Sequence, residues 1–376
     1  MWDIPLFELN YDKQELDAVS QVIKSGWLTM GERTLEFESS FARILGEDVR
    51  CTAVSSGTAA LHTALMGLDI EPGDEVIVPA MTFVADINVV RMVGARPVLA
   101  DASSLSDFNV SVDTIEGKLS KKTKAIIVVH FAGFPCEMTA ISELCKKKGI
   151  HLIEDVAHAP GASINGKMCG TWGDFGCFSF FSNKNISVGE GGMICSFSEE
   201  CDQKAKYLRS HGMTTLTLDR HKGRALTYDV ALSGLNYRID EIRAALGVAQ
   251  LNKLIIGNDR RAALATRYHA QLEEASISIP FRARPTSEVS AHHIYPILLP
   301  KEVDRKKVMQ KLKAKGIQSS IHYPSMCDFS AFGGLFDSSE IPVAQEISQR
   351  ELTLPLFPTM RDDQVDMVAS ALMEVI

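Results

Sequence analysis

Between about residues 50 and 200, short runs of consecutive apolar residues alternate with segments whose apolar positions recur every three or four residues. CTAV (51–54) precedes GTAALHTALMGL, EVIVPA (75–80) leads into ADINVVRMVG, ARPVLAD (95–101) into DTIEGKLS, and KAIIVVH (124–130) into EMTAISELCKKKG, before HLIEDV (151–156). Strands that are apolar on both faces and separated by amphipathic helices predict a mostly parallel sheet with helices on each side. Turn signals fall between them, at PGDE (72–75) and KKKG (146–149). FGCFSFF (175–181) and GGMICSF (191–197) lie too close together for a crossover helix, so they are predicted to join the sheet antiparallel.

Past residue 240 the rhythm changes. IDEIRAALGVAQLNKLIIGNDRRAALATRYHAQLEEA keeps helix-spaced apolar positions for about 35 residues, interrupted by Gly247 and Gly257, and predicts a helical spine. A strand candidate in HHIYPILLP (292–300), the helix VDRKKVMQKLKAKG, the segment IQSSIHYP (317–324) and a last helix from near Arg361 follow. This division predicts a large α/β domain over residues 1–245 and a smaller α+β domain over 246–376. The polar, weakly periodic stretch 213–234 is expected to be a functional or mobile loop.

Composition narrows the function. With 39 Lys+Arg against 47 Asp+Glu the net charge is −8, which gives no basic footprint for nucleic acid. The eight cysteines form no C-x-x-C and sit mostly in apolar stretches, as buried thiols of a reducing compartment do. The longest apolar runs are strand-sized and MWDIPLFELN has no leader-like pattern, so a cytoplasmic chain without a membrane span is expected.

Three places carry candidate chemistry. Lys184, in SFFSNKNISVGEGGM, follows an aromatic strand and precedes glycines that permit close backbone approach. It is either an ordinary loop lysine or a desolvated amine whose lowered pKa suits Schiff-base chemistry. Asp155 closes the strand HLIED, where ligands of open α/β sheets gather, and Glu154 should point to the opposite face. Alone it fits two roles, a helix cap or the buried partner of a protonated ring nitrogen. SSGTAALHTAL (55–65) opens a helix directly after a strand with small and hydroxyl residues, either an anion cup or a simple N-cap. The chain has neither the nucleotide P-loop nor the dinucleotide glycine fingerprint, and His62, His130, His292, His293 and His322 show no metal-ligand spacing.

A phosphate cup, a carboxylate and a lysine in this order describe pyridoxal phosphate (PLP) binding. The sequence resembles the DegT/DnrJ/EryC1/StrS sugar aminotransferases of PLP fold type I. The resemblance rests on six blocks in order: SGWLTMGERTLEFE, SSGTAAL, GDEVIVPAMTFVA, IEDVAHAPGA, GDFGCFSFFSNKNISVGEGG and LNYRIDEIRAALGVAQL. It implies a mostly parallel seven-stranded sheet between helices and a smaller α+β C-terminal domain.

The resemblance also implies residue roles. Lys184 would hold the cofactor and shuttle protons, and Asp155 would pair with the pyridine N–H. Phe83 would stack on the ring, while Gly57, Thr58 and Ser179 would hold the phosphate. His158, where many relatives carry Gln, would contact the ring hydroxyl or stack nearby, acting with the catalytic pair, or else be a satisfied histidine that opens a helix. Asn236 would reach the phosphate of a neighbouring subunit, which implies a homodimer with shared active sites. His322, in IHYP, would lie near the site's mouth. The implied reaction moves an amino group from an amino acid, L-glutamate, to a nucleotide-linked keto-deoxysugar, with C4 favoured over C3. A ketocyclitol acceptor is the alternative among enzymes, and a PLP-holding regulatory protein is the alternative outside them. Relatives that dehydrate sugars carry histidine at the lysine position, which disfavours that chemistry here.

Overall fold

The computed structural model describes residues 2–215, 219, 222, 223 and 227–376. Positions 216–218, 220, 221 and 224–226 of the expected loop 213–234 lie outside the described residues.

Strands β1 (Arg50–Val54), β2 (Glu75–Pro79), β3 (Arg96–Ala100), β4 (Thr123–Val129) and β5 (His151–Asp155) are followed by the short pair β6 (Ser163–Ile164) and β7 (Lys167–Met168). Then come β8 (Phe175–Ser179), β9 (Gly192–Ser196), the short β10 (Glu288–Val289), β11 (Tyr295–Leu298) and β12 (Glu351–Leu354). Seven of them form one sheet in the order β1-β9-β8-β5-β4-β2-β3. β9 pairs antiparallel with both β1 and β8, and the other pairings are parallel, as the spacing of the two aromatic-rich runs predicted.

Side chains along β4 show why the sheet needs two layers of helix. Ala125 and Ile127 pack with helices Gly57–Gly67 and Val84–Met92, whereas Ile126 and Val128 pack with helix Met138–Lys148. Successive residues of a strand face opposite sides, so an uninterrupted apolar run buries both. A third cluster joins Cys51, Ala53, Phe178 and Phe180 to Phe37 and Phe41 of helix Glu32–Leu45.

The long periodic stretch past residue 240 is two helices, Glu241–Leu251 and Leu254–Gln271. The chain breaks at Asn252–Lys253 rather than at either glycine. Gly247 sits inside the first helix because a Cβ there would lie 2.5 Å from the Phe37 ring. The glycine therefore serves close helix packing and not interruption. Helices Leu254–Gln271, Arg305–Ala314 and Asp362–Val375 cover the β11–β12 pair, and Ile4 from the chain start packs into the same cluster. IQSSIHYP forms no strand of its own; Ser320 makes an isolated bridge to Thr353 of β12.

One long-range cap ties the motif blocks together. Helix Glu32–Leu45 begins after Gly31, which has no side chain to satisfy the free N–H groups. Glu241 supplies the acceptor from 210 residues away, taking the N–H groups of Gly31, Arg33 and Thr34 and the Thr34 hydroxyl at 2.7–2.9 Å. Glu241→Ala is expected to strand those buried donors. The cost of about 2 kcal/mol should appear as amide exchange roughly 30-fold faster in the first turn of that helix.

Candidate active site

The ends of β1, β2, β4, β5 and β8 open onto one cleft of about 370 Å3, lined by Gly57, Thr58, Phe83, Asp155, His158, Ser179, Lys184, His322 and Tyr323 among others. A parallel sheet collects its carboxyl ends on one edge, which is why residues more than a hundred positions apart meet there. A larger open cavity of about 600 Å3, around Lys301, Ser338 and Arg350, holds none of the predicted residues.

At one end of the cleft the chain leaves β1 and turns into helix Gly57–Gly67. The Ser56 hydroxyl caps it by accepting from Ala59 N at 3.0 Å. Gly57 lies directly against β8: a Cβ would meet Ser179 Cβ at 2.8 Å, so no larger residue fits. The first turn's N–H groups and the Thr58 and Ser179 hydroxyls thus face a concavity at a helix N-terminus, a natural anion cup.

In the middle stands Asp155, and the alternation of β5 separates it from Glu154 as predicted. Glu154 is wholly buried on the other face, where it accepts from Gly170, Trp172 and Gly173 N–H groups and from His130. It is structural. Asp155 faces the cleft, with Oδ1 accepting from Ala157 N at 2.8 Å. Burial raises its pKa, opposed by that N–H and by Lys184. Behind it the wholly buried Asp86 takes a hydrogen bond from Thr82. Asp86 is pushed well up by burial and by the charge of Asp155. Lys184 is half-buried. Among the described residues its Nζ makes no hydrogen bond or ion pair, and desolvation brings its pKa down to about 8 against the pull of Asp155.

His158 fixes the third side. Its Nδ1 accepts from Ala132 N at 3.3 Å, so the proton sits on Nε2, which donates to the Tyr323 hydroxyl at 2.9 Å. Burial first, and then the charge of Lys184, holds its pKa well below the ordinary histidine range, so the ring is neutral. Tyr323 therefore keeps its own hydroxyl hydrogen for the cleft. Phe83, 54% exposed, presents its ring beside Tyr323 with centroids 5.7 Å apart. A large aromatic left open at the wall of the cleft suits a planar ligand.

Asn236 is the one predicted residue outside this cleft; it bridges to Ser210 in the segment leading to helix Glu241–Leu251. The sequence reading missed Tyr323, Thr82 and Asn183, all of which line the cleft. The IHYP segment was the available signal for Tyr323. Asn183 Oδ1 is buried without a hydrogen-bond partner among the described residues, directly before Lys184.

A cleft at the carboxyl edge of this sheet, with a desolvated lysine, a buried aspartate and an anion cup, defines an α/β enzyme with the architecture of fold type I aminotransferases. The chain belongs to the DegT/DnrJ/EryC1/StrS aminotransferase family, whose match spans residues 10–373. It is 34% identical to the uncharacterized protein MJ1066 of Methanocaldococcus jannaschii, over 99% of this chain and 97% of that one. Among solved structures it is similar to Streptococcus pneumoniae Spr1654 in its PMP form, with 29% identity, TM-score 0.91, and 100% and 98% of the two chains covered. Similar too is Helicobacter pylori PseC, an aminotransferase involved in the biosynthesis of pseudoaminic acid, with 28% identity, TM-score 0.91, and 99% and 98% covered. Among the described residues no helix is long and apolar enough to cross a membrane.

Proposed function

We propose that this protein is a PLP-dependent aminotransferase that moves an amino group from L-glutamate to the C4 keto carbon of a nucleotide-linked deoxysugar. The observation that carries the reading is the meeting of Lys184, Asp155 and the Gly57–Thr58–Ser179 cup in one cleft walled by Phe83. The donor set fits the cofactor: backbone N–H groups and hydroxyls for a phosphate, a buried carboxylate for a ring N–H, an open aromatic for a ring face, and an unpaired amine for an aldehyde. The space denied to a Cβ at Gly57 is what lets the phosphate cup close on β8.

When bound, PLP supplies the aldehyde that captures amines and the ring that withdraws electrons. Lys184 is the nucleophile and, once released, the base that moves a proton across the cleft; an amine with a pKa of about 8 is neutral often enough near neutrality to do both. Asp155 holds the proton on the ring nitrogen. His158 and Tyr323, hydrogen-bonded to one another, orient the ring's hydroxyl side. His158, in place of the glutamine of many relatives, supports C4 over C3. Asn236, placed outside its own cleft, suits a donor to the phosphate of a second copy, so that a two-fold dimer makes two shared sites.

Incubating the protein with PLP, glutamate and a panel of nucleotide keto-sugars and ketocyclitols tests the reading. The expected result is consumption of glutamate and an amine at C4 by NMR. Amination of the cyclitols alone, or no turnover of glutamate, would overturn it.

A further inference from the structure

His322 lines the cleft beside Lys184, yet its surroundings extend away from the cleft into the β11–β12 layer. Its backbone N–H donates to Glu351 Oε2 at 2.7 Å, and its Nδ1 lies 2.8 Å from Thr353 Oγ1. Thr353 Oγ1 is in turn hydrogen-bonded to Glu351 Oε1 at 2.5 Å. Glu351 and Thr353 alternate on β12 and therefore share a face, and neither has any exposed surface. The result is a closed chain of three groups, carboxyl, hydroxyl and imidazole, that ends at His322 Nε2. Among the described residues that nitrogen has no hydrogen-bond partner, so it is the polar atom left for the cleft.

Such a chain can run in two directions without moving a heavy atom. With Glu351 protonated, Oε2 is occupied by the His322 N–H, so the proton lies on Oε1 and is given to Thr353. The threonine hydroxyl then donates to Nδ1, and Nε2–H points outward as a donor. With Glu351 ionised, the hydroxyl donates to Oε1, Nδ1–H donates to the hydroxyl, and Nε2 offers a lone pair. The two states differ by one proton, which enters or leaves at Nε2. His322 stays neutral in both.

We propose that Glu351 and Thr353 are positioning residues that set whether His322 gives or takes a hydrogen bond in the cleft, giving one to the amino donor's carboxylate and taking one from a hydroxyl of the acceptor sugar. The inference rests on the aminotransfer reading, in which one cleft must serve both substrates in turn. Both states are within reach near neutrality. Burial raises the Glu351 pKa to about 8, opposed by the bonds from Thr353 and the His322 N–H and by Arg305, which donates to the Glu351 and Ser348 carbonyls. Among the described residues Tyr323, kept neutral by burial, also faces it, and burial first and then the charge of Lys184 lower His322 to about 3.

The test uses the PLP-loaded enzyme with 15N-labelled histidine, the His322 signals being assigned by their absence in His322→Asn. Below pH 8 Nε2 should carry the proton, and above it Nδ1. Glu351→Gln, whose amide donates permanently to Thr353, should hold Nε2–H at every pH. In steady state the KM for glutamate should rise about tenfold as pH passes upward through that value, while in Glu351→Gln it stays low and flat. Thr353→Val, which cuts the link between Glu351 and His322, should make the KM for glutamate flat with pH, and Thr353→Ser should restore the wild-type profile. One tautomer at all pH values in the wild type overturns the relay, and a tautomer switch with an unchanged KM for glutamate overturns the carboxylate assignment. If the tautomer switches while glutamate donates no nitrogen at any pH, the relay stands and the aminotransfer reading falls.

Discussion

Lys184→Ala is expected to abolish transamination and covalent capture of PLP together, and Lys184→Arg to do the same although it keeps the charge. The loss in turnover should be on the order of 10⁴-fold or more, because no second amine lines the cleft among the described residues. Arginine retains a cation for Asp155 but has no nucleophilic amine, and its guanidinium stays protonated at any working pH. Capture is read without turnover, as the mass added to the intact protein after incubation with PLP and borohydride reduction. In the wild type its rate should climb with pH and level off above about 8, the pKa to which desolvation brings this amine from an ordinary 10.5. The sign follows from the neutral form being the nucleophile: lowering the pKa moves the rise to lower pH. Retained turnover in either variant would remove Lys184 from the chemistry.

The parts of this molecule legible in its sequence are those written in local periodicity. β4 could be placed from KAIIVVH because a run apolar on both faces has one economical fate, a central strand between two helical layers. The opposite assignments of Glu154 and Asp155 followed from the same alternation. What stayed hidden was written in contacts across the chain. The break between helices Glu241–Leu251 and Leu254–Gln271 was expected at a glycine, but Gly247 answers to the Phe37 ring, which no helical pattern announces. Glu241 reads locally as a first-turn acid, and its use as the cap of a helix that starts at Glu32 depends on the packing of two elements some 200 residues apart. Tyr323 and the Glu351–Thr353 pair belong to segments with little periodic signal, where side chains are placed by neighbours in space.

Asp155→Asn separates the two roles that the sequence left open for this residue. Asparagine has nearly the same shape and can still accept from Ala157 N, so a residue that only caps the turn after β5 should tolerate the change. A residue that holds a proton on the cofactor ring should not, since an amide oxygen is far less basic than a carboxylate and is not held charged by Lys184. We expect turnover to fall about 100-fold or more, a loss of about 2.7 kcal/mol, with little change in thermal unfolding. A second observable is independent of turnover. The carboxylate of Asp155 is the group that raises the Lys184 pKa against desolvation, so removing its charge lets that pKa fall further below its wild-type value of about 8. The pH profile of PLP capture should therefore shift to lower pH in Asp155→Asn, even as turnover collapses. Near-normal turnover with an unshifted capture profile would leave Asp155 with the cap alone.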